Sequence, residues 1–401
     1  MERIAAAQAD SDFIHAGTGA FRRLNVAMFA AAFSTFALIY CVQPLMPLLA
    51  TSFSVTPAVS SLALSMNTAA LGIAIVFAGI VSEVWGRRPV MTVSLIASAL
   101  LTLGTAVAPD WHTLLLTRAL AGLALSGVPA VAVAYVTEEV DPRAGGLAMG
   151  LYVAGTAFGG MTGRLLAGVL ADFLSWRWAI AGIGALSLGA SILFRALLPP
   201  SRHFTPREPR LSLLGESLRS HLTERGMLSL FLAGFLLMGS FVSVYNYIGF
   251  RLLAPPYRLS HAAVGLIFVI YLIGMIASAW SGPLAARLGS HNVLWTMVVV
   301  MLAGLVITIA SPLPIVILGV AVMTFGFFGG HTILSAWIGR RATRAKALAS
   351  SLYLLFFYAG SSIAGTLTGR FWSAAGWNGV SAAVGVLLLM ALFVALGLRR
   401  V

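Results

Sequence analysis

The sequence predicts an all-α integral membrane protein of twelve transmembrane helices, built as two parallel six-helix repeats. Three observations carry that prediction: long apolar stretches, intervening gaps that alternate in arginine content, and a repeat relating the two halves of the chain. Hydrophobic residues fill 59% of the 401 positions and charged residues only 9%, against roughly a quarter charged in a soluble domain. An ordinary globular fold is excluded.

Apolar runs of about 18 residues or more cross a ~30 Å hydrocarbon core as helices. Twelve fit, at 25–50, 58–82, 89–108, 111–137, 146–171, 176–198, 227–253, 261–285, 291–310, 313–337, 347–370 and 377–398. Membrane-spanning strands would alternate in segments of about ten residues, and no stretch does. The expected organisation is a tail (1–24), a first bundle (25–198), a central loop (199–226), a second bundle (227–398) and a short end (399–401).

Charge orients the spans. With both termini in the cytoplasm, nineteen of the 25 lysines and arginines lie on the cytoplasmic side. Three lie outside (Arg177, Arg251, Arg258) and three within spans (Arg118, Arg164, Arg370). Short-loop Lys/Arg counts set membrane orientation in this way. The net charge of +13 therefore reports topology, and its partner is the lipid bilayer with its anionic headgroups rather than nucleic acid. Cys41 is the only cysteine, and no Cys/His spacing of metal type occurs. Residues 1–24 are polar and the first apolar run is too long for a cleavable signal. Lys346 is the only lysine, so no Gly-x4-Gly-Lys nucleotide loop exists. No cofactor is expected.

The central loop carries Pro199, Pro200, Pro206 and Pro209. Within it Leu214, Leu218 and Leu222 recur at helical spacing opposite Glu216, Arg219, Glu224 and Arg225. An amphipathic helix lying at the membrane surface fits that pattern, and so does a solvated linker. At an offset of 201, Tyr152/Tyr353, Gly159/Gly360 and Trp176/Trp377 match; at 203, Gly79 and Gly86 match Gly282 and Gly289. Six crossings separate the copies, so they share one orientation, as in carriers with parallel repeats about an axis along the membrane normal.

Between the second and third spans stand Gly79, Glu83, Gly86, Arg87 and Arg88. This stretch resembles the signature of the major facilitator superfamily, with Glu83 for the usual aspartate and Val84 where a basic residue is common. The resemblance covers residues 25–398. It implies that Glu83 faces the N-terminus of the eleventh span, and that Arg87 pairs with Glu138, Glu139 or Asp141. Together these would latch the cytoplasmic side in the outward-facing state. Arg118 to Gly122 is similar to a drug-efflux motif, with Ala121 for glutamine. Gly155 to Gly160 is similar to an antiporter motif, with Thr156 for proline. The run from Tyr40 through Gln43 and Pro44 to Pro47 looks like that of bacterial inner-membrane efflux carriers of the arabinose-efflux-permease type.

Polar residues inside spans are expensive and mark pathways. Among them here are Tyr40, Gln43, Asn67, Arg118, Tyr152, Arg164, Asn246, Tyr271, His331, Tyr353 and Tyr358, on spans that line the cavity in family members. Arg118 and Arg164 stay protonated and so carry no transported proton. Two readings stand for each: a cation facing the cavity, which selects anionic cargo, or a packing and snorkelling role. Snorkelling is preferred for Arg370. No Asp or Glu lies deep in a span, which disfavours a midplane carboxylate as proton carrier. His331 is the buried side chain that titrates near neutrality; it carries protons or makes a helix contact. The expected protein is a monomeric, non-enzymatic secondary transporter of the bacterial inner membrane. It would export a small amphiphilic or anionic molecule in exchange for protons, alternating access to a central cavity. Proton-symport uptake of a sugar or organic acid is the alternative, and a polytopic enzyme or sensor ranks behind both.

Overall fold

The computed structural model describes residues 13–206 and 211–400. Ten helices in them are long and apolar enough for one crossing each: Gly19–Tyr40, Pro57–Trp85, Arg87–Ala106, Trp111–Glu139, Pro142–Phe173, Trp176–Leu197, Arg225–Leu253, His261–Leu288, Ser290–Ile307 and Leu313–Arg341. A further stretch, Lys346–Gly397, holds 52 residues, or about 78 Å at 1.5 Å per residue. A ~30 Å core cannot accommodate that length as one crossing. Its backbone leaves the helical region at Ala375 and at Gly376 (φ +56°), which splits it into the eleventh and twelfth spans.

The first span departs from the expected 25–50. It begins earlier, capped by the Thr18 hydroxyl, and stops at Tyr40; a separate short helix follows at Met46–Ser52. Pro44 and Pro47 explain the break, because each removes a backbone donor and clashes with the preceding turn. The fourth span bends at Ser126, between helices Trp111–Leu125 and Gly127–Glu139. In the central loop the helix Leu211–Thr223 forms as expected. Its buried face differs from the predicted leucine stripe: His221 is buried and Leu222 is exposed. Leu218 packs on the core, and the side chain of Leu214 lies outside the described ones.

The repeat is visible in the backbone. Gly86 and Gly289 end the second and eighth spans with φ of +92° and +86°, a region only glycine enters freely. Side-chain atoms at Gly159 or Gly360 would collide with the carbonyls of Phe33 or Phe235. Thus the fifth span packs backbone to backbone on the first as the eleventh does on the seventh, the small-residue packing of membrane helices. Trp176 and Trp377 are buried to the same degree.

One end of the bundle carries the first and last described residues and the arginine-rich gaps; it is called the terminal end here, and the opposite one the far end. The halves meet toward the far end. Thr68 bonds Ser362 at 2.8 Å, Ser65 bonds Thr366 at 2.8 Å, and Ser61 donates to Thr366 at 3.2 Å. A Cβ on Gly168 would lie 2.7 Å from the His261 carbonyl, and one on Gly369 would strike Ala58. At the terminal end, Gly79, Gly145, Gly146, Gly150 and Gly282 look into open space. The halves therefore diverge toward the terminal end. Around the bundle, large apolar side chains such as Phe77, Val93, Ile276 and Phe393 are exposed, as a lipid-facing surface requires.

Candidate functional site

The early stop of the first span leaves the carbonyls of Leu38 and Ile39 without the intrahelical partners that a longer helix would supply. Arg118 takes both, Nη1 donating to Leu38 at 3.0 Å and Nη2 to Ile39 at 2.7 Å, while Nε donates to the Ala63 carbonyl at 2.9 Å. A guanidinium suits that place, since the carbonyl end of a helix favours a cation. Asn67 donates to the Arg118 carbonyl at 2.9 Å, and Gly122 lets the Asn67 backbone come close. Both Arg118 and Asn67 are fully buried. Their contacts tie the first, second and fourth spans together inside one half.

Arg164 is placed differently, at the seam between the halves, 1% exposed. Nε donates to Gln43 Oε1 at 2.6 Å and Nη1 to the Gly160 carbonyl at 2.7 Å. The guanidinium lies over three rings: Tyr40 at 4.0 Å from its own half, and Tyr271 at 4.8 Å and Phe268 at 5.0 Å from the other. Gln43 Nε2 in turn donates to Asn246 Oδ1 at 2.7 Å, which crosses to the seventh span. Among the described residues no carboxylate forms an ion pair with Arg164. Burying a lone ion costs several kcal/mol. Two charge-assisted hydrogen bonds at about 1.5–3 kcal/mol each, with ring faces worth about 2 kcal/mol when desolvated, offset that cost.

The second half supplies an aromatic wall. Phe241 and Phe327 stack at 3.8 Å, with Tyr245, Tyr271 and Phe328 around them. His331 sits nearby, half-buried, its Nδ1 2.7 Å from the Tyr353 hydroxyl and its ring 4.8 Å from that of Phe357. Tyr358 is buried, and its Cβ faces Gly72 of the other half.

Closure of the far end involves residues that the sequence reading missed. Asp172, on the fifth span, accepts from the backbone amides of His261 (2.8 Å) and Ala262 (2.7 Å) and so caps the eighth span across the seam. The hydroxyls Ser61, Ser65 and Thr68 fall at i, i+4 and i+7, facing Ser362 and Thr366 at i and i+4. That spacing puts each set on one helix face and was there to be read.

At the terminal end Arg87 pairs with Glu138, one of the three carboxylates expected, with Nη2–Oε1 at 2.8 Å and Nε–Oε2 at 3.1 Å. It also donates to Ser82 at 2.6 Å. Arg88 donates to the Arg195 carbonyl at 3.0 Å. The contact expected between Glu83 and the eleventh span is not made. That span starts at Lys346 without a side-chain cap, because the halves stand apart at this end. Glu224 both caps the seventh span, through the amides of Gly226 and Met227, and pairs with Arg341 at 2.7 Å. The Arg341 pairing holds its carboxyl below the ordinary value of 4.5.

Comparison with known proteins agrees with this geometry. The profile of the Major Facilitator Superfamily matches residues 28–257. The chain is 47% identical over 388 residues to an uncharacterized MFS-type transporter, YybF, of Bacillus subtilis, covering 97% of this chain and 96% of that one. It is 46% identical over 390 residues to the inner membrane transport protein YnfM of Escherichia coli, covering 97% and 94%. The fold is similar to that of a bacterial homolog of the human lysosomal transporter Spinster, solved inward-facing and unoccupied, with a TM-score of 0.78 at 15% identity over 96% of this chain and 98% of that one. With its twelve helices in two repeats and its signature loop, the chain belongs to the major facilitator superfamily and is a multi-pass membrane transporter.

Proposed function

We propose that this transporter exports small amphiphilic anions from the cytoplasm in exchange for protons, working as a monomer in the bacterial inner membrane. The observation that carries the reading is Arg164, a buried cation at the seam of the halves with no carboxylate partner among the described residues. The groups around it offer donors and ring faces, which match a carboxylate joined to an apolar body. The termini and arginine-rich gaps take the cytoplasmic side by the positive-inside rule, so the cleft opens inward and cargo enters from the cytoplasm. Residues 25–198 and 227–398 act as the two rocking bodies, with 199–226 between them. Motif likeness to efflux carriers supports the outward direction, and relatives named as transporters support a carrier rather than an enzyme.

His331 is the proton carrier in this reading. An imidazole can take up and release a proton, and Tyr353 bonds this one at Nδ1. The test uses inverted membrane vesicles energised to a known pH gradient and a panel of labelled aromatic carboxylates with their neutral amides. Gradient-driven uptake of acids but not amides, lost in Arg164→Leu, is the expected result. A pH dependence that His331→Gln leaves unchanged removes that histidine from the mechanism. Uptake of amides and acids alike removes the anion assignment.

A further inference from the structure

Gln43 Nε2 and Asn246 Oδ1 meet across the seam between the halves at 2.7 Å. Arg164 has no charged counterpart in the second half, since Gly365 occupies the position 201 residues on. That asymmetry fixes the direction of every hydrogen bond in the chain of three. Arginine only donates, so Gln43 must turn Oε1 to it and Nε2 to Asn246. Asn246 must then accept through Oδ1. Its Nδ2 is left toward the bare backbone of Gly365, where a Cβ would lie 3.1 Å away, and it has no acceptor. Asn246 is 1% exposed, and an unpaired donor at that depth costs about 1–3 kcal/mol. The seam thus holds a buried cation and a buried unsatisfied amide, joined by one side chain that also bonds the halves together.

We propose that Gln43 couples cargo binding to opening of the far end, a step that rests on the anion reading above. An anionic oxygen that takes the Arg164 Nε–H displaces the Gln43 carbonyl oxygen. Gln43 then loses the orientation that holds Asn246, and the seam bond breaks. The freed Asn246 amide turns its donors to the same anion, so the energy lost at the seam is regained on the cargo. Neutral analogues lack the charge to displace Gln43 and leave the far end shut.

Spin labels at His112→Cys, exposed at the far-end start of the fourth span, and Ser311→Cys, exposed in the far-end loop after the ninth, read the separation between the halves; the native Cys41 is buried. In nanodiscs without ligand, Gln43→Leu and Asn246→Leu should each add a long-distance population. The double variant should add no more than either alone, since both remove one bond. Gln43→Met, of equal length, replaces Gln43→Leu if packing suffers. Unchanged distances in both single variants, or an additive double variant, overturn the coupling whatever the cargo is. Benzoate, with benzamide as its neutral twin, is then titrated. Benzoate should lengthen the wild-type distance, benzamide should not, and Gln43→Leu should respond at least tenfold less. Equal benzoate responses in wild type and Gln43→Leu overturn the coupling but leave the anion reading intact. No benzoate response in either, with the variants separating as expected, withdraws the anion reading and the coupling with it.

Discussion

Two buried arginines, Arg118 and Arg164, look alike in the sequence: both are intramembrane, both lie about two turns from a span end, and neither has a nearby carboxylate in the chain. Their neighbours separate them. Arg118 spends its donors on carbonyls of the first and second spans, whereas Arg164 reaches rings and amides of both halves. Arg118→Met should therefore destabilise the folded protein by on the order of 3 kcal/mol, because three buried carbonyls lose a charged partner. The check is a thermal melt in detergent, where Arg164→Met should shift Tm far less while abolishing transport. An equal loss of Tm in the two variants would contradict the division of roles. No spacing rule distinguishes them, since the difference is set by where the first span stops. That stop was itself legible in Pro44 and Pro47, although its consequence for Leu38 and Ile39 was not.

Helix pairs show how much of the fold one strand of sequence declares. Twelve crossings, the repeat and the glycine turn at Gly86 were all written in hydropathy and spacing, and the backbone follows them. Gly159→Val or Gly360→Val should prevent the close contact with Phe33 or Phe235 and lower Tm by several degrees, with Gly145→Val near neutral as the control. The helix Leu211–Thr223 was legible as amphipathic, but which stripe it buries depends on the spans it meets. Its junction with the seventh span is pinned by Glu224, whose carboxyl titrates below 4.5 when folded. The stability it contributes is thus complete above pH 4.5 and is lost as pH falls through its folded value. Melting curves against pH should show this loss in the wild type and a flatter profile in Glu224→Gln, which starts from a lower Tm at neutral pH. A profile unchanged by the substitution would remove the pair from the stability of that junction.

For the molecule as a whole, the far end is closed by groups drawn from both halves while the terminal end is parted. The Glu83 contact implied by the family resemblance is absent because the halves stand apart at that end. Sequence alone could name the signature loop, yet nothing in spacing announces which end is shut. The central claim proposed above is that the buried guanidinium of Arg164, with no carboxylate partner among the described residues, selects anionic cargo. Current recorded from proteoliposomes on a solid-supported membrane, after a jump in benzoate concentration, tests it most directly. The account predicts a transient current that wild type gives, Arg164→Lys keeps in reduced form and Arg164→Leu lacks at every pH. A benzoate current of undiminished size in Arg164→Leu would contradict it.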